Sequence, residues 1–420
     1  METRSLRIAW LGPVPGEDSG VPGVATELLH GLARLGHHID CFLPESEREL
    51  PERISSAVNL QFIWSSTGWA WDRWYSKPKI GAFATSLLSR ARAFLRLRRE
   101  VASRHREMPY DIIYQFSNIE TLGVPAHLRR AVPLVIHPET HVGGELRWLF
   151  AERRISLQCQ PLYVFVVVAA TMSLRALVQR ITIQRASLLV CISAIFRDYM
   201  VRDYRFPRER TVVIPNPVRI GRFEIGERDA DRGPTVLVLG RIALRKGIDT
   251  VVAVTQLLAR EESGIALRII GGPSLWSDYT RLLDALPPNA TYLGQLPAAD
   301  IPKEMSGSDI LLQASKYEPF ALTVAEGLAA GVPVVATSEV GAIEDVNRRV
   351  VVEVESGDAA GMAAAVRRLL AETRSHRSEM QSLARAEAER LFSPETICLK
   401  ISSALEDLAS GRNGPREAKP

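Results

Sequence analysis

The amino-acid sequence predicts an α/β protein built on two parallel sheets, each wrapped by helices. Short apolar runs alternate with amphipathic helical patterns, and this alternation starts afresh after a turn-rich stretch at mid-chain. A length of 420 residues also exceeds one ordinary domain and is enough for two separate cores.

Arg7–Leu11 reads as the first strand, residues 12–23 as a Gly/Pro-rich loop, residues 24–35 as an amphipathic helix and residues 39–43 as the next strand, which is a βαβ opening. Further strands are expected at 111–114, 134–137 and 187–192. The second half predicts strands at 212–214, 235–239, 266–270, 309–312, 334–336 and 350–354, with a helix at 248–259. Phe206-Pro207 and Pro215-Asn216-Pro217 punctuate the centre, so an N-terminal unit is expected over 1–210 and a C-terminal unit over 211–392. Ser393-Pro394 starts a last helix over 393–409, with Pro at its first position, and the polar tail 410–420 is expected to be disordered.

The longest apolar stretch, residues 161–174, is shorter than the ~20 residues that span a bilayer. It reads as a buried helix or strand of the N-terminal unit, with a membrane-dipping segment as the alternative. A formal net charge of +4 is small for this length and argues against a dedicated nucleic-acid binder. Cys41, Cys159, Cys191 and Cys398 are scattered, with no pair at metal-ligand or redox spacing, which suits reduced thiols in the cytoplasm. Residues 1–7 run directly into the first strand and leave no room for the apolar core of a signal peptide.

Chemistry concentrates in residues 318–331. Glu318 and Glu326 flank a turn that opens a helix near Ala321, and the helix closes on Gly331 before a buried strand. Free backbone N–H groups at such a helix mouth, Phe320-Ala321-Leu322-Thr323, attract an anion, while the two carboxylates accept hydrogen bonds from hydroxyls on either side. A nucleotide sugar has that layout. Arg241 and Lys246 flank the loop after strand 235–239, a fork and a point charge suited to a diphosphate, and Gly271-Gly272 follow the next strand. All these residues fall on loops at the carboxyl ends of strands, where open α/β sheets bind ligands, so a cleft between two facing sheets is expected. In the first loop, Gly20 and Gly23 permit close approach of a phosphate, although the spacing is not the dinucleotide fingerprint.

These residues resemble the family-4 glycosyltransferases, retaining enzymes of the two-Rossmann-domain GT-B type. The similarity is carried by Gly240-Arg241 with Lys246-Gly247, by Gly271-Gly272-Pro273, by Glu318 to Glu326, by residues 331–337 and by Ile214-Pro215-Asn216-Pro217-Val218. It is dense in the second half of the chain and loose in the first. The resemblance implies a nucleotide-diphosphate sugar as donor co-substrate, no other cofactor, retention of the donor's anomeric configuration, a mid-chain linker and a last helix that returns to the N-terminal domain. It also implies a catalytic histidine at a strand end; His137 matches by position, with His141 in reserve. Glu318 would hold sugar hydroxyls beside the positive ring and Glu326 the ribose. Donor contacts are carried to Gly23, Arg241, Lys246, Gly272, Phe320, Ala321, Leu322, Thr323 and Glu326.

Two glycosidase-type carboxyls would face each other across one bond at about 5–10 Å, a role not assigned to Glu318 and Glu326. The sequence offers no metal-ligand cluster, and Arg241 with Lys246 are expected to serve in place of a divalent cation. Two departures from the family pattern are visible: Pro217 stands where Gly is usual, and Gly341-Ala342-Ile343-Glu344-Asp345 replaces a Gly-Gly-x-Pro-Glu run. In the N-terminal half, Trp64, Trp69, Trp71 and Trp74 crowd beside Lys77 and Lys79, followed by arginines at 90, 92, 96, 98, 99, 104 and 106. That pattern suits a glycan or lipid-linked acceptor and attachment to an anionic membrane at the inner face of the plasma membrane; the other reading is a sheet-packed helix with solvated arginines. The function classes that stay open are a hexosyltransferase of cell-envelope polysaccharide or glycolipid synthesis, a nucleotide-sugar epimerase or phosphorylase on the same fold, and a silent donor-binding partner subunit.

Overall fold

The computed structural model describes residues 4–17, 20–45, 50–65, 95–116, 124–226, 233–260, 264–273 and 279–411. Trp69, Trp71, Trp74, Lys77, Lys79, Arg90 and Arg92, and the tail beyond residue 411, lie outside them. The first half runs β1 (Arg7–Leu11), α1 (Val21–Arg34), β2 (His38–Glu45), α2 (Glu52–Ser55), β3 (Asn59–Ser65), α3 (helical over 95–107), β4 (Ile112–Phe116), α4 (Ala126–Ala131), β5 (Leu134–His137), α5 (Val142–Ala151), α6 (Arg153–Cys159), α7 (Leu162–Ile183), β6 (Leu188–Cys191), α8 (Ala194–Tyr204) and β7 (Thr211–Val213). The second half runs β8 (Thr235–Leu239), α9 (Ile248–Arg260), β9 (Ala266–Ile270), β10 (Ala290–Tyr292), α10 (Ile301–Ser306), β11 (Ile310–Gln313), α11 (Leu322–Ala329), β12 (Val334–Thr337), β13 (Val351–Val354), α12 (Ala359–Ser375), α13 (Arg377–Phe392) and α14 (Pro394–Ala409).

The described strands form two all-parallel sheets, ordered β3-β2-β1-β4-β5-β6-β7 and β10-β9-β8-β11-β12-β13. Both place their first strand inside the sheet and reverse direction beside it, between β1 and β4 and between β8 and β11, the doubly wound pattern. Central strands covered on both faces must be apolar throughout. Accordingly Ile112–Phe116, Thr235–Leu239 and Val334–Thr337 are buried at every position.

The chain divides into two compact units. One holds Met1–His141, Leu174–Pro217 and Pro394–Pro420; the other holds Val142–Ser173 and Val218–Ser393. This differs from the expected 1–210 and 211–392 at two places. The strand expected to open the second sheet, at 212–214, is instead β7 of the first, because Leu189, Val190 and Cys191 of β6 pair with Thr211, Val212 and Val213. Helices α5 and α6 and the start of α7 group with the second unit, held there by ion pairs from Glu145 to Arg245 and from Glu152 to Lys316. Those partners lie 100 and 164 residues away and leave no local signal.

In the first unit Trp10 of β1 stacks on Tyr114 of β4, with ring centroids 4.8 Å apart, at the centre of the core. Asp40 ties three elements together: it accepts from Arg7 Nη2 at 2.6 Å, Tyr110 Oη at 2.7 Å and Asn59 Nδ2 at 3.0 Å. Ser193 caps α8 by accepting from the Phe196 amide at 3.0 Å. Helix α14, opened by Pro394, packs on α1 within this unit, where Cys398 lies against Gly31.

The second unit brings its β8 and β9 loops together through main chain alone. A Cβ at Gly271 would lie 1.7 Å from the Gly240 carbonyl oxygen, so no other residue fits there without moving the backbone. The apolar stretch read as buried forms the first part of α7, a 22-residue helix of which one face is exposed. The expectation of a buried helix or strand of the N-terminal unit is thereby corrected, since residues 162–173 are exposed on one face and group with the second unit. Val164, Phe165, Val168, Ala169 and Met172 pack inward, while Leu162, Tyr163, Val166, Leu174, Leu177 and Ile181 do not.

Candidate functional site

Two loops of the second unit are bound together and set the geometry. Between β11 and α11, the amides of Lys316 and Tyr317 both donate to the Arg245 carbonyl, at 2.8 and 3.3 Å. Gly247 makes the approach possible: its φ is 67°, and a Cβ there would fall 1.9 Å from the Ala314 carbonyl oxygen. Lys246 is thereby laid against Glu318, its ammonium in direct contact with Oε2, and Arg245 Nη1 donates to the same oxygen at 3.1 Å. Arg245 also reaches Glu145 of α5, at 3.5 Å. Burial works to raise the Glu318 carboxyl, but Lys246 and then Arg245 outweigh it and hold it below the ordinary carboxylate range.

Arg241 lies on the same loop, exposed, with its guanidinium within electrostatic reach of Arg245 and Lys246. Three cations therefore meet two carboxylates, which leaves a positive surplus where the β8 loop ends. Gly271 lies against the backbone of Gly240 and Arg241, and Gly272 follows beside Gln295. Arg241, Lys246, Glu318 and the Gly271 turn are thus gathered in one place.

Helix α11 begins next to this cluster. Its cap is Ala321 with φ 78°, a conformation that costs a non-glycine residue ~1–3 kcal/mol and persists only where neighbours impose it. The neighbours are residues 341–342, whose amides donate to the Glu318 and Phe320 carbonyls at 3.2 and 2.8 Å. The first amides of α11, at Leu322 and Thr323, have no carbonyl of their own helix to donate to. The side chains around them serve packing. Phe320 stacks edge-on against Phe392 at 5.6 Å, and Thr323 Oγ1 donates to Gln313 Oε1 at 3.2 Å, so both side chains are engaged by the protein itself.

Glu326, also on α11, is set apart from the Lys246–Glu318 cluster. It is buried, which pushes its carboxyl up to about 7, and Arg222 opposes this only in part. A buried acid so placed gains from any hydroxyl that donates to it.

His137 lies in the first unit, at the end of β5 and fully buried. A 2.7 Å hydrogen bond joins Tyr114 Oη to its Nδ1, and Nε2 stands 3.5 Å from Glu139 Oε1. Burial pushes the imidazole down to about 3 and the Glu139 carboxyl up to about 7, so the ring is neutral at physiological pH. Glu139 Oε2 accepts from Asn216 Nδ2 at 2.6 Å. The mid-chain Pro-Asn motif thus reaches the residue next to His137 in space, which its expected turn-fixing role did not anticipate. His141 is buried beside Asp203, at 3.3 Å, and stacks on Tyr199. Gly23 falls in the first turn of α1, behind Gly20 as the cap.

Sequence reasoning missed Arg245, Glu145 and Glu139. Arg245 was visible beside Lys246; the other two carry no spacing signal. Among the described residues no group of three or more His, Cys, Asp or Glu side chains is placed to hold a metal ion.

Comparison with known proteins bears on this arrangement. Residues 223–387 match the family Glycosyl transferases group 1, and residues 19–217 match the Glycosyl transferase 4-like domain. Mannosylfructose-phosphate synthase of Agrobacterium fabrum is 27% identical over 36% of this chain, and the match spans 37% of that relative's length. Sucrose-phosphate synthase from Thermosynechococcus elongatus superposes with a TM-score of 0.69 at 20% identity, covering 97% of this chain and 100% of the other. The Anabaena protein HepE, solved in complex with UDP and glucose, superposes with a TM-score of 0.61 at 18% identity over 96% and 99% of the two chains. The fold is the two-Rossmann GT-B architecture. With both halves matched in order, the chain belongs to the group 1, family-4-type glycosyl transferases.

Proposed function

We propose that this protein is a retaining hexosyltransferase of the cytoplasm that uses a nucleoside-diphosphate sugar and delivers the sugar to a glycan or lipid-linked acceptor, without a metal ion. One observation carries the reading: Lys246, Arg245 and Arg241 converge with Glu318 beside the strained mouth of α11. Departure of a nucleoside diphosphate builds negative charge on its phosphates. Fixed cations and free helix amides stabilise that charge without reorganisation at the moment of reaction. Glu318, kept ionised by Lys246 and Arg245, suits hydroxyls of the transferred sugar and its positive ring. Glu326 suits the ribose hydroxyls. Support for a nucleotide donor also comes from HepE, whose structure holds UDP and glucose. His137, neutral and braced by Tyr114, is the group we place nearest the transferred sugar.

The test is transfer and hydrolysis of labelled UDP- and GDP-sugars in the presence of extracted glycolipids, compared with Lys246→Ala and Glu318→Gln. Loss of a preorganised charge of this kind lowers kcat by about 10²–10³-fold. Donor binding with neither transfer nor hydrolysis, in wild type as in the variants, would instead identify a silent donor-binding subunit.

A further inference from the structure

Helix α7 is apolar on nearly all sides, a composition that belongs inside a core or a membrane, yet only a third of its most apolar window is buried. The exposed members Tyr163, Val166, Leu174, Leu177 and Ile181 are spaced by three, eight, three and four residues and form one stripe along the helix. Phe150 of α5, which packs edge-on against Phe165, and Leu157 of α6 add exposed apolar surface nearby in the chain. Isolated exposed apolar residues need no explanation, but a stripe of this length does.

Charge indicates what covers it. Between residues 142 and 185 the only acids are Glu145 and Glu152, and both are engaged by Arg245 and Lys316 of the second unit. Helix α7 carries no acid at all. Arg153, Arg154, Arg180 and Arg185 are exposed. An apolar stripe with a cationic margin complements an anionic lipid surface. The same margin disfavours a second copy, since a two-fold contact would bring like charges together. Length alone would let α7 span a bilayer, but its other face is committed to the protein through Val164, Phe165, Val168 and Met172. A bilayer docked on its exposed face would leave the helix in the interface plane.

We propose that the exposed face of α7 docks onto an anionic bilayer, its stripe in the acyl boundary and the exposed arginines of this segment at the phosphate level. This deepens the transferase reading by naming the surface from which a lipid-linked acceptor would come, and it rests on that reading only for its purpose. It is independent of the membrane contact expected at 64–106, much of which lies outside the described residues.

Flotation of the full-length protein with phosphatidylcholine vesicles, with and without phosphatidylglycerol, tests it. Binding is expected to rise at least tenfold with the anionic lipid and to fall with salt. Leu174→Ser with Leu177→Ser should lower binding about tenfold on both surfaces. Arg153→Gln with Arg154→Gln should remove most of the preference for the anionic vesicles, at about tenfold per two charges or more. The second pair lies on the surface, so it keeps the test informative should the first disturb folding. Equal or absent binding to the two vesicle types overturns the proposal, as does vesicle-free dimerisation that the leucine substitutions abolish. Partitioning is read without donor or acceptor, so its failure leaves the transferase reading standing, and loss of transfer with partitioning intact counts only against that reading.

Discussion

At the scale of single residues, Arg245 is the side chain on which the site depends most without being implied by any motif. Its guanidinium lies between Glu318, at 3.1 Å, and Glu145, at 3.5 Å. Without it Glu318 would share its charge with Lys246 alone, and Lys246 would be held more tightly away from a diphosphate. A charge-assisted hydrogen bond to a buried carboxylate contributes ~1.5–3 kcal/mol, so Arg245→Gln should lower kcat/KM by about ten- to a hundredfold, with a raised KM for the donor. Arg245→Lys should recover only part of this, because a compact ammonium lacks the spread of donors along the planar guanidinium that meets Glu318 at Nη1 and Glu145 at Nε. Unchanged steady-state constants with a lowered melting temperature would make Arg245 a structural residue only.

At the scale of elements, α14 shows how closely the first unit is fitted. His37 accepts from the Leu6 amide at Nδ1 and meets Ser402 of α14 at Nε2, 2.8 Å away. Beside it, a Cβ at Gly31 of α1 would fall 2.3 Å from Cys398 Sγ. Gly31→Ala should gain ~1 kcal/mol of helix propensity and lose ~1–3 kcal/mol to overpacking, a net loss by urea denaturation. Adding Cys398→Ala should recover part of it, since the Cβ of residue 398 still stands 3.0 Å from the added methyl. Additive losses in the double variant would show that the two helices are not in contact in solution. Elements of this kind were legible in the sequence wherever period and punctuation agreed: β1, β5, β8 and β9 begin and end where their apolar runs do, and Ser393-Pro394 opens α14. β3 and β10 were not. Asn59–Ser65 runs into a Trp-rich stretch that masks its period, and Ala290–Tyr292 is only three residues long. The excursion of α5 and α6 to the second unit was invisible because Glu145 and Glu152 find their partners by tertiary contact. The same reason hid Glu139: only the fold brings Asn216 to it.

At the scale of the whole molecule, each unit buries a carboxyl that is pushed up to about 7, Glu139 in the first and Glu326 in the second, and the first also buries His137, pushed down to about 3. The signs oppose one another. A carboxyl whose folded value is raised contributes stability that is present below its unfolded value, near 4.5, and lost as pH climbs through about 7. A histidine whose folded value is lowered from 6.5 binds fewer protons when native, so stability is lost as pH falls from 6.5 towards 3. Between 4.5 and 6.5 two groups favour acid and one opposes them, and above 6.5 only the carboxyls act. At ~1.4 kcal/mol per unit for each group, these three residues together should make the protein less stable at pH 8 than at pH 5 by a few kcal/mol. Urea denaturation at the two pH values should show the loss in wild type, only about a fifth of it in Glu326→Gln, and a reversed sign in the double variant that adds Glu139→Gln, where His137 alone makes the protein more stable at pH 8 than at pH 5. If the double variant keeps the full wild-type slope, the carboxyls at 139 and 326 are ionised in the native protein and their burial has been met by partners other than those described.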